Sequence, residues 1–224
     1  MQVNGETVTE LGTRVQPGDV VWFDGGPVEP EPFEYHLLNK PGGVISAVSD
    51  SRGQRTVTEL VPSRVRLFPV GRLDRDTTGL IVLTNDGALA NRLMHPRFEV
   101  DKVYRAEVDG QLTEADLKRL REGIRLEEGM TAPAQVELVA EAGKGGKAKA
   151  GPKKGAARGG AVLELTIHEG RKRQVRRMLE AVGHPVRRLH RKKYAMLTDD
   201  GLESGDSRLL TDEEITALRK LAGP

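Results

Sequence analysis

Residues 71–80 read Gly71-Arg72-Leu73-Asp74-Arg75-Asp76-Thr77-Thr78-Gly79-Leu80, and they join two apolar runs, 67–70 and 80–83. Short apolar runs of this kind predict buried β-strands. A polar segment bracketed by glycines between two such strands is where a fold presents functional groups. The sequence therefore predicts a functional loop at 71–80.

Asp74 is the candidate nucleophile or base in this loop, because it stands close to Arg72 and Arg75. A nearby cation would keep a carboxylate in a cleft ionised at neutral pH. An ionised carboxylate can attack an electrophilic carbon and form a covalent intermediate. The alternative is a turn aspartate that only accepts backbone N–H bonds. Asp76 could serve the same purposes, although side chains two apart on an extended segment point to opposite faces. A glycosidase-like pair of the two is therefore disfavoured.

Arg176 is the second candidate. Residues 173–182 predict a helix whose apolar positions recur at helical spacing, and Arg176 lies at the edge of that apolar face. An arginine at this edge can reach into a cleft and pair with a carboxylate. The alternative is a surface arginine whose stem covers apolar neighbours. The apolar positions are Val175, Met178, Leu179 and Val182.

Tyr104 is one of three tyrosines in the chain and lies on a predicted strand, 103–108. A tyrosine on a strand is usually a core residue. A nucleic-acid base that has left its stack, however, needs an aromatic face to pack against. Both interpretations of Tyr104 stay open from the residues alone.

The composition excludes several classes of protein. Cysteine is absent from the 224 residues, which excludes a disulfide framework and a thiolate metal site. No apolar run approaches the roughly 20 residues of a membrane span, and the N-terminus does not resemble a signal peptide. The histidines lack metal-ligand spacing, and no nucleotide-binding glycine motif is present. We expect a cytoplasmic protein without a membrane partner, metal or cofactor.

Positive charge is concentrated although the net charge is only +2. Residues 171–193 contain ten Lys or Arg and a single acid, and residues 141–160 contain six basic residues and a single acid. Concentrated positive segments in a nearly neutral chain favour a polyanionic partner. The 141–160 run alone could also be solvated surface.

The order of predicted elements indicates an α+β fold, because strands and helices are mixed without strict βαβ alternation. Residues 1–27 predict a small β-rich module, residues 28–32 a proline-rich linker, and residues 33–224 the main domain. Residues 140–160 predict a disordered basic insert between two strands, since they are composed almost entirely of Gly, Ala, Lys, Arg and Pro. Helices are predicted at 88–94, from a Thr113 cap to about 121, at 173–182, and from a Thr211 capping box to about 221.

Four segments together resemble the bacterial ribosomal-RNA pseudouridine synthases of the S4-linked, RsuA-like family. Two precede the middle of the chain: Leu38-Asn39-Lys40-Pro41-x-Gly43 and the loop Gly71-Arg72-Leu73-Asp74-x-x-Thr77-x-Gly79-Leu80. The others are Asp101-Lys102-Val103-Tyr104 and the arginine motif at 169–178. The resemblance covers about residues 33–222. Residues 1–27 resemble only the second half of an S4 RNA-binding module, so we expect this module to be truncated.

The resemblance implies a mixed, mainly antiparallel sheet with flanking helices and a central catalytic cleft. It implies that Asp74 is the catalytic aspartate, that Arg176 pairs with it, and that Tyr104 stacks on the target base. The implied reaction detaches uracil at N1, turns it and rejoins it through C5, without cofactor or metal. The implied partner of a monomeric enzyme is ribosomal RNA or an assembling ribosomal subunit. The side chains implied to hold RNA are Arg72, Lys102, Arg171, Lys172, Arg173, Arg177, Arg187, Arg188 and Arg191.

The target RNA is predicted from residues 91–96, Asn91-Arg92-Leu93-Met94-His95-Pro96. This segment resembles family members that modify large-subunit (23S) rRNA. The alternatives are a small-subunit (16S) rRNA synthase and a noncatalytic rRNA-binding or ribosome-assembly factor.

Overall fold

The computed structural model describes residues 1–16, 18–141, 160–221 and 223. The chain divides into two compact units, Met1–Phe33 and Glu34–Pro224. The basic insert predicted at 140–160 lies almost entirely outside the described residues, and so the prediction of its disorder stays a prediction.

The first unit is a small sheet with strand order β2-β1-β3-β4. Asn4 ties its turns together: its side-chain amide donates to Asp19 Oδ1 at 2.9 Å, and its Oδ1 accepts from the Val20 backbone at 3.0 Å. The strand β4 includes Val28, which the sequence assigned to the linker. The strands are β1 (Gln2–Val3), β2 (Glu6–Thr7), β3 (Val21–Phe23) and β4 (Gly26–Val28).

The second unit is built on a nine-stranded sheet with the central order β11-β12-β8-β13-β7-β5-β15. Its described neighbours pair antiparallel except β7 and β13, which run parallel. The strands are β5 (Tyr35–Lys40), β6 (Phe68–Pro69), β7 (Thr78–Thr84), β8 (Lys102–Asp109), β11 (Gln135–Glu141), β12 (Gly160–Ile167), β13 (Val186–Tyr194), β14 (Leu197–Thr198) and β15 (Ser207–Leu209), with β9 (Arg125–Leu126) and β10 (Gly129–Met130) forming a separate hairpin.

The run 80–83 is apolar at every position because β7 lies inside the sheet and is covered on both faces. Leu80 and Val82 belong to one core cluster, and Ile81 and Leu83 belong to the other. A strand buried on both faces has a continuous apolar run rather than an alternating pattern. The loop at 71–77 thus leads directly into a strand that is buried at every position from 79 to 84.

Four helices flank the sheet: α1 (Gly87–Met94), α2 (Glu114–Glu122), α3 (Gln174–Ala181) and α4 (Asp212–Leu221). Residues of α2 and α3 belong to one core cluster and residues of α1 and α4 to the other. The predicted caps are present: Thr113 accepts from the Asp116 N–H, and Thr211 from the Glu214 N–H. The α+β prediction, with a mixed and mainly antiparallel sheet, is confirmed. Short 3-10 turns occupy Val57–Leu60 and Pro96–Phe98.

Candidate active site

The loop 71–77 is held by the last residue of β5 and the segment that follows it, Lys40-Pro41-Gly42-Gly43. The Gly43 N–H donates to the Arg75 carbonyl at 2.8 Å, and Arg75 Nε donates back to the Gly43 carbonyl at 3.2 Å. On the other side, Ser46 brackets Leu73, accepting from its N–H and donating to its carbonyl at 3.0 Å each. The motif at 38–43 and the loop at 71–77 are therefore joined by hydrogen bonds into one unit.

Lys40 is the centre of this unit, and its position was not anticipated as part of the site. Its side chain is fully buried, and Nζ donates to the carbonyls of Thr77 at 2.8 Å, Pro41 at 3.0 Å and Arg75 at 3.4 Å. Burial lowers the pKa of Lys40 to about 8, with the Arg191 charge adding to the effect, although Asp76 and Asp74 oppose it. In the sequence, the position of Lys40 within the motif at 38–43 could have indicated that it belongs to the site.

Arg176 projects from α3 onto the loop, as the helix-edge interpretation predicted, but its carboxylate partner differs from the expectation. Its Nη2 lies 3.1 Å from Asp76 Oδ2 and donates to the Asp76 carbonyl at 3.2 Å, while Nη1 donates to the Val186 carbonyl at 3.3 Å. The family resemblance implied a pair between Arg176 and Asp74, whereas in the structure Asp76 is the paired carboxylate. The loop turns between the two carboxylates, with the Thr77 N–H donating to the Asp74 carbonyl at 3.0 Å.

Arg173, which was predicted to bind RNA, bridges both loop carboxylates in this structure. Its Nη1 lies 3.5 Å from Asp74 Oδ2 and 3.2 Å from Asp76 Oδ1. Burial raises the pKa of Asp76, but the hydrogen bond from Arg173 and the charges of Arg176 and Arg173 outweigh it and keep the pKa below its usual value. Asp76 is therefore an ionised partner of two arginines. Asp74, with a side chain 31% exposed, forms a longer ion pair with Arg173, the single one it has within the described part of the chain.

Tyr104 lies in the middle of β8, opposite Arg191 of β13. Its side chain is mostly buried, with 8% of the residue exposed. Arg191 is only 2% exposed, and its Nη1 donates to Tyr104 Oη at 3.4 Å. Arg191 thus differs from the surface cation that the sequence predicted, because its guanidinium lies inside the sheet and cannot reach a phosphate at the surface.

The other cations predicted to bind RNA are in different environments. Arg72 and Lys172 are exposed. Arg171 pairs with Glu169 at 3.2 Å, and Arg188 lies 3.9 Å from Glu107. Lys102 donates to two backbone carbonyls, those of Val100 at 2.8 Å and His168 at 3.3 Å, and Arg177 and Arg187 pair with Glu128 and Asp109.

The lowered pKa values of Lys40 and Lys102 predict how the free energy of unfolding changes with pH. Burial lowers the pKa of each to about 8, and the nearby Arg191 charge contributes. In the unfolded chain both keep their protons to about pH 10.4. Between pH 8 and 10 the unfolded chain therefore binds more protons, and the free energy of unfolding should rise with pH, by about 1–2 kcal/mol per lysine.

Urea unfolding at pH 7.5–10 measures this rise. Lys102→Met should remove its share of the slope. Lys118→Met is the matched control, because the Lys118 side chain is 73% exposed on α2, and it should leave the slope unchanged. Equal slopes in wild type and Lys102→Met would contradict a lowered pKa at Lys102.

None of the helices in residues 1–141 and 160–221 is both long and apolar enough to cross a membrane. In the same part of the chain, no three or more His, Cys, Asp or Glu side chains are grouped so that they could hold a metal ion.

Comparison with known proteins identifies the relatives of this chain. Residues 34–181 match the family model described as RNA pseudouridylate synthase. The chain is 48% identical over 225 residues to ribosomal large subunit pseudouridine synthase B of Bacillus subtilis, covering 99% of this chain and 86% of that protein. It is 42% identical to an uncharacterized RNA pseudouridine synthase of Aquifex aeolicus, covering 100% and 85%.

A solved structure gives the same result at the level of the fold. The crystal structure of a pseudouridylate synthase matches 97% of this chain and 88% of its own, with 31% identity and a TM-score of 0.72. The region matched by the family model includes the loop at 71–80, the Tyr104 strand and all of α3. The chain belongs to the RNA pseudouridylate synthase family.

Proposed function

We propose that this protein converts a uridine of large-subunit ribosomal RNA to pseudouridine. The observation that carries the choice of RNA is the 48% identity to a large subunit pseudouridine synthase over nearly the whole chain. The reaction breaks the bond between uracil N1 and ribose C1′, forms a bond between C5 and C1′, loses the proton of C5 and adds one at N1. Reactant and product have the same composition.

Asp74 is the carboxylate that we assign to the chemistry. Asp76, the other carboxylate of the loop, is engaged by Arg173 and Arg176 at 3.2 and 3.1 Å. Among the described residues, the ion pair of Asp74 is the longer one, at 3.5 Å from Arg173. A nucleophile must be free to approach carbon, either at C1′ of the ribose or at the uracil ring. Asp76 has the more exposed side chain, 54% against 31%, but its two shorter ion pairs hold it in place, so Asp74 is the carboxylate with the weaker restraint.

Tyr104 and the arginines of α3 have complementary roles in this proposal. Tyr104 provides the aromatic face on which the target base stacks once it has left its helix. Arg176 holds the loop through Asp76, and Arg173 places a positive charge 3.5 Å from Asp74 Oδ2. Arg173 is also 43% exposed at its side chain, so that it can contact an RNA phosphate.

The proposed RNA-binding surface includes three exposed cations, Arg72, Lys172 and Arg188. A second group now contacts carboxylates and would exchange some of those contacts for RNA phosphates: Arg171, Arg177 and Arg187. Phosphate contacts make binding fall steeply with salt concentration. We further propose that the small β unit, residues 1–33, is the S4-like module that adds RNA affinity.

Tritium release from RNA tests the proposed function, because isomerisation must free the hydrogen carried by uracil C5. Transcripts of 23S and 16S rRNA are prepared with uridine labelled at C5, and each is incubated with the protein. We expect release from 23S rRNA and none above background from 16S rRNA. Chemical mapping of pseudouridines in the reacted RNA then locates the modified position.

The opposite outcomes identify the alternatives. Release from 16S rRNA alone would assign the enzyme to the small subunit. Salt-dependent binding of rRNA without release from free RNA or from assembling subunits would indicate a noncatalytic binding factor.

A further inference from the structure

Arg191 makes contacts that connect the loop strand to Tyr104. Its Nε donates to the Leu80 carbonyl of β7 at 2.6 Å, and its Nη1 donates to Tyr104 Oη of β8 at 3.4 Å. Its guanidinium carbon lies 5.1 Å from the ring centre of Tyr194 and 6.0 Å from that of Tyr104. One side chain thus contacts the strand that follows the Asp74 loop and the proposed stacking residue.

A contribution to the stability of the fold does not explain why an arginine is buried at position 191. It is 2% exposed, and its Nη2 has no hydrogen-bond partner among the described residues. Burial is the main cause of the lowered pKa of Lys40 and of Lys102, and the Arg191 charge adds to it in both. Buried cations that repel one another, and a buried donor without a partner, both destabilise a fold. An apolar side chain of similar size would suit a purely structural position better.

The backbone of Arg191 makes the same connection. Arg191 pairs with Gly79 in the parallel ladder between β13 and β7, and with Tyr104 in the antiparallel ladder between β13 and β8. Arg191 is therefore paired with the loop strand and with the Tyr104 strand at the same residue, by its backbone and by its guanidinium group.

We propose that Arg191 is a positioning residue that fixes the Tyr104 ring relative to the Asp74 loop. This inference depends on the proposed function, in which Tyr104 stacks on the base that Asp74 attacks. A planar guanidinium can bond the Leu80 carbonyl and Tyr104 Oη at once, whereas an ammonium on a flexible stem does not hold that geometry. The role is geometric, so the expected loss lies in turnover rather than in RNA binding.

The first measurement is the kinetics of Arg191→Lys, which keeps the charge. We expect kcat to fall about 10- to 100-fold, the size of effect that a misplacement of about 1 Å produces, and KM for RNA to stay within about threefold of wild type. Tyr104→Phe, which removes the hydroxyl acceptor, should also lower kcat. The double variant should be no slower than the slower single variant, because both changes remove one contact.

A matched control exists elsewhere in the domain. Arg219 of α4 donates to Tyr35 Oη at 2.8 Å and lies 5.7 Å from that ring, so it is a second arginine–tyrosine pair outside the site. Arg219→Lys should leave kcat unchanged.

Carbon-13 labelling of tyrosine supplies a readout that general destabilisation does not produce. The chain has only three tyrosines, so that their ring signals can be assigned by single substitutions. Arg191→Lys should move the signals of Tyr104 and Tyr194 and leave Tyr35 in place, and Arg219→Lys should do the reverse.

The outcomes separate this inference from the proposed function. Absence of tritium release by wild type would refute the function itself. Wild-type release together with a kcat within twofold for Arg191→Lys, a raised KM at constant kcat, or additive effects with Tyr104→Phe would overturn the role of Arg191. If Arg191→Lys does not fold, an unchanged kcat and an unchanged Tyr194 ring signal in Tyr104→Phe would overturn it instead.

Discussion

Asp74→Asn is expected to abolish tritium release from C5-labelled rRNA, lowering kcat by at least about 1,000-fold. The reason is that an amide has no negative charge with which to attack carbon, and removal of a nucleophile costs this much or more in enzymes that form covalent intermediates. The shape of the side chain is nearly unchanged. The loss should therefore appear in turnover and leave the fold intact.

The fold should tolerate Asp74→Asn because the contacts of this carboxylate contribute little to stability. Its ion pair with Arg173 spans 3.5 Å, and both side chains are partly exposed. Such pairs contribute about 0–1 kcal/mol to the free energy of unfolding. Circular dichroism and urea unfolding should place the variant within about 1 kcal/mol of wild type, and filter binding should show similar affinity for rRNA.

Asp76→Asn is the matched control, because Asp76 lies two residues after Asp74 in the same loop. It weakens the contacts of Arg173 and Arg176 but leaves the Asp74 carboxylate in place. We expect a loss of about tenfold in kcat from a less ordered loop. If Asp76→Asn were inactive and Asp74→Asn fully active, the two carboxylates would have exchanged roles, and the assignment of Asp74 would be wrong.

Local patterns in the sequence predicted the elements that carry the site. The glycine-bracketed loop, the buried run 80–83 and the helix at 173–182 depend on apolar periodicity and capping, which are encoded within about 15 residues. The helix-edge position of Arg176 follows from the same periodicity. The structure confirms these elements to within a few residues at each end.

The partners across the site could not be predicted in the same way. Helical spacing shows that Arg176 can reach a carboxylate, but the choice of Asp76 over Asp74 depends on the turn at Thr77. The strand β13 was missed, since Arg187, Arg188 and Lys193 hide the buried positions of a strand within a basic run. Arg191 was assigned to RNA for the same reason. Its burial depends on β7 and β8, which flank it from distant parts of the sequence.

Gly79→Ala is the second change for which we expect a large effect, here on the fold. Gly79 has a φ of +106°, where residues with a side chain are strained, and a Cβ there would lie 2.3 Å from the Arg191 carbonyl oxygen and 2.5 Å from its nitrogen. These contacts are with backbone atoms, which cannot rotate away. Backbone strain costs about 1–3 kcal/mol and overpacking about 1–3 kcal/mol, and the two act together. We therefore expect the free energy of unfolding to fall by about 4 kcal/mol or more.

Two neighbouring glycines separate the causes of that effect. Gly43 has a φ of +85° with nothing within 4 Å of its Cβ position, so that Gly43→Ala reports backbone strain alone, about 1–2 kcal/mol. A Cβ at Gly42 would meet only Thr78 Cγ2 at 3.8 Å, so Gly42→Ala should change the free energy of unfolding by less than about 0.5 kcal/mol.

Urea unfolding of the three variants in one buffer measures the comparison. The expected order of destabilisation is Gly79→Ala, then Gly43→Ala, then Gly42→Ala. A Gly79→Ala variant no less stable than Gly43→Ala would mean that β7 and β13 do not approach as closely as described. In the role proposed for Arg191, the close approach matters because it brings Arg191 against the strand that begins where the Asp74 loop ends. The glycine at position 79 permits this approach, and Arg191 pairs with Tyr104 on its other side.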